Sequence, residues 1–116
     1  MNYPEQLDAI LDCVCKIGGV SVERVCSRER KAYLTDLRGV YCQLARELVD
    51  CRYGSTTVVA KRLNRDHSTC CYLCKRTRNL LDVGDKVVTS LYTEVRDYLN
   101  HSNDFEILNK KNTQSQ

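Results

Sequence analysis

The sequence predicts an all-α fold, a compact bundle of about six helices that contains a helix-turn-helix. Apolar residues recur at helical spacing along most of the chain, and no segment alternates cleanly enough to form a strand. The single proline, Pro4, suits the first turn of a helix and leaves the other helices uninterrupted. A chain of 116 residues, 42% of them hydrophobic, is long enough for one domain with a modest core.

The first three helices are delimited by residues that commonly begin or end helices. Gly18-Gly19 ends the first helix, and Ser21 is an N-cap for a short helix that runs through Val25. A polar and basic loop follows, and a long amphipathic helix then begins in the 30s and ends near Asp50. The apolar face of this third helix comprises Leu34, Leu37, Val40, Tyr41, Leu44 and Leu48.

The next two helices are separated by a short polar break. Residues 50–54 are predicted to form a turn, after which Ser55 caps a short helix. Asn64-Arg65 ends that helix. Asp66 is then a good N-cap for a helix that runs to about Leu81.

The last predicted helix begins after Asp85, which serves as its N-cap. Three tyrosines at helical spacing on apolar faces, Tyr41, Tyr92 and Tyr98, are expected to pack in the core. After Asn100 the sequence is polar. We therefore expect a single helical domain over residues 1–100 and a polar C-terminal tail over residues 101–116.

Eight cysteines suggest buried thiols rather than a disulfide scaffold. The N-terminus has neither a basic segment nor an apolar segment typical of a secretory signal, so we expect reduced thiols in a cytoplasmic protein. Thiols of this kind commonly pack in the core as small hydrophobic side chains. The alternative is a zinc site formed by His67, Cys70, Cys71 and Cys74, but structural zinc usually draws paired ligands from separate segments. We expect no metal and no other cofactor.

Several functional classes are excluded by what the sequence lacks. No stretch approaches the roughly 20 apolar residues that a membrane-spanning helix needs. The phosphate-binding pattern G-x-x-x-x-G-K-[ST] is absent, so no nucleotide binding is expected. No nucleophile, base and orienting group occur at a spacing that indicates catalysis, and His67 with its neighbour Ser68 does not form such a set. We therefore do not expect an enzyme.

The distribution of charge points to a polyanionic partner. The chain has a net charge of +3, but the segment from Arg28 to Arg78 contains twelve basic and five acidic residues, a net charge of +7. The two flanks together carry six basic and ten acidic residues, a net charge of −4. A basic centre of this kind indicates a nucleic-acid surface or, alternatively, a solvated face that keeps the protein soluble.

The segment from Ser55 to Arg78 has the form of a helix-turn-helix: a short helix, a tight polar turn and a longer helix with basic residues. The major groove of duplex DNA admits one α-helix. The first turn of the second helix offers free backbone N–H groups, with short polar side chains at residues 65–69. Lys75 and Arg76 lie two turns later, where they suit contacts with phosphates.

At these residues the sequence resembles the C-terminal DNA-binding domain of the bacterial chromosomal replication initiator DnaA. Residues 65–69 read RDHST, the signature of that domain, and residues 44–48 read LAREL, similar to a segment of its long preceding helix. Arg38 occupies the position of an arginine that precedes that segment in the family. Ser55 begins the short helix that precedes the signature. The resemblance covers residues 21–98, which leaves the first helix outside it.

The resemblance implies a fold that is also Trp-repressor-like, and it implies roles for particular residues. The helix that opens at Asp66 would enter the major groove, and the basic loop would lie on phosphates and reach the neighbouring minor groove. We expect twelve DNA contacts: the residues that the resemblance implies, and the two basic residues that lie two turns after the start of that helix. They are Arg28, Arg30, Lys31, Arg38, Ser55, Arg65, Asp66, His67, Ser68, Thr69, Lys75 and Arg76.

The sequence departs from the pattern of this domain at four places. Leu63-Asn64 stands where a Gly-Gly pair is usual, and Cys70-Cys71-Tyr72 stands where Val-Leu-His is usual. Asp36 replaces an arginine or a bulky residue, and Thr57 lies near the place of a proline. These departures bear on which DNA sequence is recognised more than on the mode of binding.

We therefore expect a stand-alone relative of this domain, without the ATPase domain, that binds specific sites in double-stranded DNA and serves in replication. Two alternatives remain open. The same fold could act as a protein-interaction adaptor whose basic face docks a replication protein, or as a dimeric transcription regulator that binds a palindrome.

Overall fold

The chain folds into six helices within residues 3–49 and 55–101, the part that the computed structural model describes. In chain order they are α1 (Tyr3–Gly18), α2 (Val22–Val25), α3 (Ala32–Leu48), α4 (Ser55–Arg62), α5 (His67–Asp82) and α6 (Lys86–Asn100). No strand occurs in these two ranges, so the predicted all-α class and helix number are confirmed. The predicted turn over residues 50–54 and the tail beyond residue 101 lie outside the described residues. None of the helices described is both long and apolar enough to cross a lipid bilayer.

The helix boundaries follow the predicted caps. Ser21, Asp66 and Asp85 each accept a hydrogen bond, of 3.0–3.2 Å, from the backbone N–H of the third residue after them. Lys31, the residue before α3, makes no such side-chain bond. Ser55 is the first residue of α4, and its predicted capping side chain lies outside the described part of the chain.

Helix α3 lies at the centre of the fold, where it packs against α1, α4, α5 and α6. Ten of its seventeen residues are buried, many more than on a helix with a single apolar stripe. Tyr41 is fully buried, and its hydroxyl donates a 3.1 Å hydrogen bond to the carbonyl oxygen of Val59 on α4. This bond satisfies the polar end of the largest core side chain and ties the helix-turn-helix to α3.

Helices α3 and α5 approach each other closely at Gly39. A Cβ atom at this position would lie 2.2 Å from Oγ1 of Thr77 on α5, well inside van der Waals contact. Thr77 is itself fully buried, and its Oγ1 has no hydrogen-bond partner. The missing side chain of Gly39 therefore sets the separation of the two helices.

The tyrosine predictions hold for Tyr41 but not for all three residues. Tyr98 is 53% exposed, and its ring lies under the ammonium group of Lys16, with 5.9 Å from Nζ to the ring centroid. Tyr92 is half-buried, and its hydroxyl lies 2.6 Å from Oε1 of Glu47 on α3. The prediction of core packing was therefore wrong for Tyr98, because this residue faces the open side of the α1–α6 contact.

The cysteines of the described ranges are free thiols that mostly lie in the core, as the sequence predicts. Burial raises the pKa of Cys13 and of Cys15 to about 11. Of this set, Cys71 on α5 is the exposed thiol. Cys70 and Cys74 are buried whereas His67 is exposed, so the considered zinc set does not converge. Within the described residues no three His, Cys, Asp or Glu side chains are placed to hold a metal ion.

Candidate nucleic-acid interface

Helices α4 and α5 and the turn of residues 63–66 between them form the predicted helix-turn-helix. At the end of α4, the carbonyl oxygen of Ala60 accepts hydrogen bonds from the N–H groups of Leu63, at 2.9 Å, and Arg65, at 3.0 Å. Leu63 is fully buried and anchors the turn in the core. These contacts end α4 within one turn and fix the direction in which α5 starts.

Asn64 adopts the backbone conformation on which this turn depends. Its φ angle is 59°, in the left-handed region that disfavours most side chains. Asparagine tolerates this region better than other residues with a side chain. The departure from the usual Gly-Gly pair therefore preserves the turn rather than changing it.

Asp66 caps α5 with a carboxylate that is already engaged. Its Oδ1 accepts hydrogen bonds from both the backbone N–H and the hydroxyl of Thr69, each at 3.0 Å. These bonds hold the pKa of Asp66 below its usual value. Thr69 is thus oriented by the cap, and the ionised carboxylate remains exposed at the start of the helix.

The first turn of α5 presents the side chains of His67 and Ser68 to solvent. The free backbone N–H groups at the start of a helix favour a negatively charged partner there. The packed side of α5 begins one residue after Thr69, with Cys70, and continues with Leu73 and Cys74. This end of the helix therefore projects from the body while the rest of α5 is fixed against α3.

Two clefts lie on either side of the first turn of α5. The cleft on the side of α2 and α3, called the loop-side cleft below, has a volume of about 590 Å³. The cleft on the side of α4, called the α4-side cleft, has a volume of about 520 Å³ and includes Thr57, Lys61 and His67. The loop-side cleft is lined by Arg28, Glu29, Arg30, Thr35, Arg38, Arg65, Thr69, Tyr72 and Leu73. Both clefts are bordered by cations, which suits a polyanion that runs past the helix.

The basic loop, residues 26–31, connects α2 to α3 beside the loop-side cleft. Arg28, Arg30 and Lys31 are all exposed, as a phosphate-binding loop requires. Glu29, the acidic residue between Arg28 and Arg30, accepts two hydrogen bonds of 3.2 Å from Arg24. These bonds lower the pKa of Glu29, and the pairing offsets its negative charge within the loop.

Arg38 corrects one prediction from the sequence. It was expected to contact DNA from the surface of α3, but it is only 5% exposed. Its Nε donates to the carbonyl oxygen of Val25 at 2.7 Å, and its Nη2 donates to those of Arg24 at 3.4 Å and Ser27 at 3.1 Å. Burial, and then the charge of Arg65, lower the pKa of Arg38. The guanidinium therefore binds the start of the basic loop.

Arg65, also expected near the DNA, is engaged in a similar way. Its Nη1 donates to the carbonyl oxygen of Leu63 at 2.8 Å, and its Nη2 donates to that of Ser27 at 2.6 Å. The side chain borders both clefts, and both of its terminal nitrogens donate to backbone carbonyl oxygens. Arg65 thus joins the turn of the helix-turn-helix to the basic loop.

Arg76 is the third basic residue whose surroundings differ from those predicted. It was expected to extend outward to phosphate, but its Nη1 lies 2.7 Å from Oδ1 of Asp36 on α3. Both side chains are largely shielded, with 25% of Arg76 and 14% of Asp36 exposed. The departure at Asp36 therefore has a structural partner. Lys75, the neighbouring cation on α5, is exposed as predicted.

Two residues outside the predicted set also border the interface. Tyr72 is 62% exposed and lines the loop-side cleft. Lys61 lines the α4-side cleft near His67. The spacing carried a signal for Tyr72, because it lies four residues after the exposed Ser68, on the same face of α5.

Comparison with known families agrees with this geometry. A family model described as the bacterial dnaA protein helix-turn-helix matches residues 7–77, more than half of the chain. The match begins within α1, so the first helix is part of the family region, contrary to the expectation that the resemblance starts at residue 21. It ends within α5 rather than at residue 98. No curated protein and no solved structure gives a significant match.

Proposed function

Because the chain belongs to the bacterial DnaA helix-turn-helix family, a family of DNA-binding rather than catalytic domains, we propose that it recognises specific double-stranded DNA sites. In this proposal the first turn of α5 enters the major groove, as in a replication initiator that binds origin sites. The observation that supports it most is the exposed first turn of α5, bordered on both sides by clefts that contain cations. The proposed binding unit is the helical domain of residues 1–100.

Base contacts are assigned to the residues at the start of α5. The Asp66 carboxylate retains lone pairs that can accept a hydrogen bond from the exocyclic amine of cytosine. His67 and Ser68 are exposed beside it and present short polar groups to base edges. Thr69 is oriented by Asp66, so its methyl group and hydroxyl meet the groove in one fixed arrangement.

Phosphate contacts are assigned to exposed cations on both sides of α5. Arg28, Arg30 and Lys31 extend from the basic loop, Lys61 from α4 and Lys75 from α5. If about five phosphates are neutralised, the logarithm of the binding constant should fall with the logarithm of salt concentration with a slope on the order of −4 to −5.

The test begins with selection of bound sequences from a random duplex pool, using the full chain. Binding of the selected duplex is then measured by fluorescence anisotropy for the wild type, His67→Ala and Lys31→Gln. His67→Ala should cost roughly 1–3 kcal/mol on the selected duplex and relax the preference at one base position. Lys31→Gln, the control, should weaken binding to all duplexes alike.

Two outcomes would contradict the proposal. If His67→Ala and Lys31→Gln reduce binding equally on every duplex, α5 does not read bases. If the folded protein shows no saturable duplex binding at physiological salt, a protein-interaction adaptor becomes the better account. A dimer by light scattering, with a palindromic selected site, would favour the transcription regulator instead.

A further inference from the structure

The start of the basic loop is held by side chains from two other parts of the fold. The carbonyl oxygen of Ser27 accepts hydrogen bonds from two guanidinium groups, Arg38 Nη2 at 3.1 Å and Arg65 Nη2 at 2.6 Å. Arg38 belongs to α3, and Arg65 belongs to the turn before α5. One backbone oxygen therefore connects the loop, the central helix and the helix-turn-helix.

The two residues before Ser27 are held in the same manner. The carbonyl oxygen of Val25 accepts from Arg38 Nε at 2.7 Å, and that of Cys26 accepts from Asn64 Nδ2 at 3.4 Å. The thiol of Cys26 in turn donates to the carbonyl oxygen of Arg62 at the end of α4, at 3.3 Å. Three consecutive carbonyl groups, those of residues 25–27, thus bond to α3 or to the turn before α5.

We infer that Arg38 and Arg65 are positioning residues, which fix the basic loop relative to α5 so that both can contact one DNA duplex. This inference rests on the proposed function and deepens it. A guanidinium suits the role because its donors form a rigid planar fork that bridges two acceptors, whereas a lysine ammonium does not. Fixing two contact surfaces before binding lowers the ordering cost of binding.

The alternative is that Arg65 contacts phosphate directly, as the sequence suggests. The two roles differ in how Arg65 depends on the loop cations. A positioning residue acts through the loop cations Arg28, Arg30 and Lys31, so its removal matters only while those cations are present. A phosphate contact acts by itself, so its removal costs the same with or without them.

The experiment measures binding of full-length variants to fluorescein-labelled mixed-sequence duplex DNA over a series of salt concentrations. Arg65→Gln is made in the wild type and in a neutralised background that carries Arg28→Gln, Arg30→Gln and Lys31→Gln. We expect a loss of about tenfold in the wild type, a flattening of the salt slope by more than the ~0.9 of one phosphate contact, and almost no further loss in the neutralised background. Lys75→Gln, the matched control, should flatten the slope by about 0.9 in both backgrounds.

Arg65→Lys provides a second variant that keeps the charge and removes the fork. Positioning predicts that it loses nearly as much affinity as Arg65→Gln, whereas a direct phosphate contact predicts that it retains most of the affinity. Equal losses from Arg65→Gln in both backgrounds, or near-native binding by Arg65→Lys, would overturn the inference.

Hydrogen exchange of the loop separates failure of this inference from failure of the proposed function. Arg65→Gln should increase exchange at the amides of residues 27–31 while the amides of α3 stay protected, with or without DNA. Unchanged exchange in the loop would overturn the positioning role even if the protein binds DNA. Faster exchange in the loop would support the role even if binding proved independent of sequence.

Discussion

Two arginines that border the loop-side cleft and three arginines between helices of the body are held by different kinds of acceptor. Beside the cleft, Arg38 and Arg65 donate to backbone carbonyl oxygens. On the body, Arg62 pairs with Asp8, Arg76 with Asp36 and Arg96 with Glu47. The Glu47 carboxylate also accepts from Tyr92 and Gln43, so α3 and α6 are joined by a network of charged and polar groups.

The difference matters because a carbonyl oxygen is neutral and a carboxylate is not. A guanidinium bonded to carbonyl oxygens keeps its positive charge in the surrounding field, whereas a carboxylate partner cancels it at a distance. Arg38 and Arg65 therefore keep their positive charges beside the loop-side cleft. The body arginines are neutralised locally and serve the contacts between helices.

The largest effect on stability is expected for Arg38→Met, which removes a buried guanidinium from three carbonyl oxygens. The free energy of unfolding should fall by about 2–4 kcal/mol, because hydrogen bonds to a charged group are lost and the buried carbonyl oxygen of Val25 loses its Arg38 donor. Duplex affinity should fall as well, since the loop loses its anchor and the field loses a charge. Chemical denaturation and anisotropy measure the two effects.

Arg96→Met is the matched change on the body. Its side chain is 41% exposed, so its loss should affect stability much less and should leave the salt slope of DNA binding unchanged. If Arg38→Met proved as mild as Arg96→Met, the distinction between the two regions would fail.

The next largest loss of stability is expected for Gly39→Ala, at the contact between α3 and α5 in the helical body. Gly39→Ala places a Cβ atom 2.2 Å from Oγ1 of Thr77, which should cost about 1–3 kcal/mol. Better helix propensity returns about 1 kcal/mol, so the net loss should be at most about 2 kcal/mol. The salt slope should not change, because Gly39 and Thr77 are buried and uncharged.

Thr77→Ala supplies the control for this prediction, since it removes the clashing hydroxyl. In that background Gly39→Ala should be neutral or stabilising by thermal denaturation. A loss of the same size in both backgrounds would place the strain somewhere other than the contact with Thr77.

Most of the fold could be predicted because its boundaries are set locally. Ser21, Asp66 and Asp85 signal their helices through their own side chains, and the apolar spacing of α3 indicates its burial. Tyr98 shows the limit of such reasoning. Helical spacing says which residues share a face, but not where the neighbouring helix ends along that face, so its exposure could not be deduced.

The sequence is enough to propose where the candidate site lies, but it does not indicate the hydrogen-bond partners of the arginines there. The basic loop and the first turn of α5 are evident from local sequence. That Arg38 and Arg65 both bond to Ser27 depends on contacts between residues 11 and 38 positions apart. Likewise, Asp36 and Arg76 are 40 positions apart, and no local pattern relates them. An arginine in a sequence indicates a charge, while its partner is decided by tertiary packing.

A smaller effect is expected for Asp36→Asn, which leaves Arg76 without its carboxylate partner. Loss of the shielded ion pair should lower the free energy of unfolding by about 1 kcal/mol. Arg76 then becomes available to phosphate, so the salt slope should steepen by up to about 0.9 and duplex affinity should rise. Anisotropy over a series of salt concentrations measures both changes.

Two variants make this prediction specific. Asp97→Asn, an exposed change of equal charge on α6, should not steepen the slope. Arg76→Gln should lower stability to a similar extent without a gain in affinity. If Asp36→Asn left both slope and affinity at their wild-type values, the carboxylate would not be withholding the charge of Arg76 from DNA.

The smallest effect on stability is expected for Asp66→Asn, because asparagine caps a helix about as well as aspartate. The change replaces an acceptor-only carboxylate with an amide, so it should alter the base preference of the selected duplex while leaving thermal stability nearly the same.

Since hydrogen bonds from Thr69 lower the pKa of Asp66 in the folded state, the wild-type carboxylate contributes stability above its unfolded pKa of about 3.9. That contribution is lost as the pH falls through the lower folded value, and Asp66→Asn should lack this component of acid destabilisation. A pH series of thermal unfolding for both proteins tests the sign. Identical acid profiles would mean that the cap gains nothing from the charge, and an unchanged base preference would leave Asp66 with capping as its whole role.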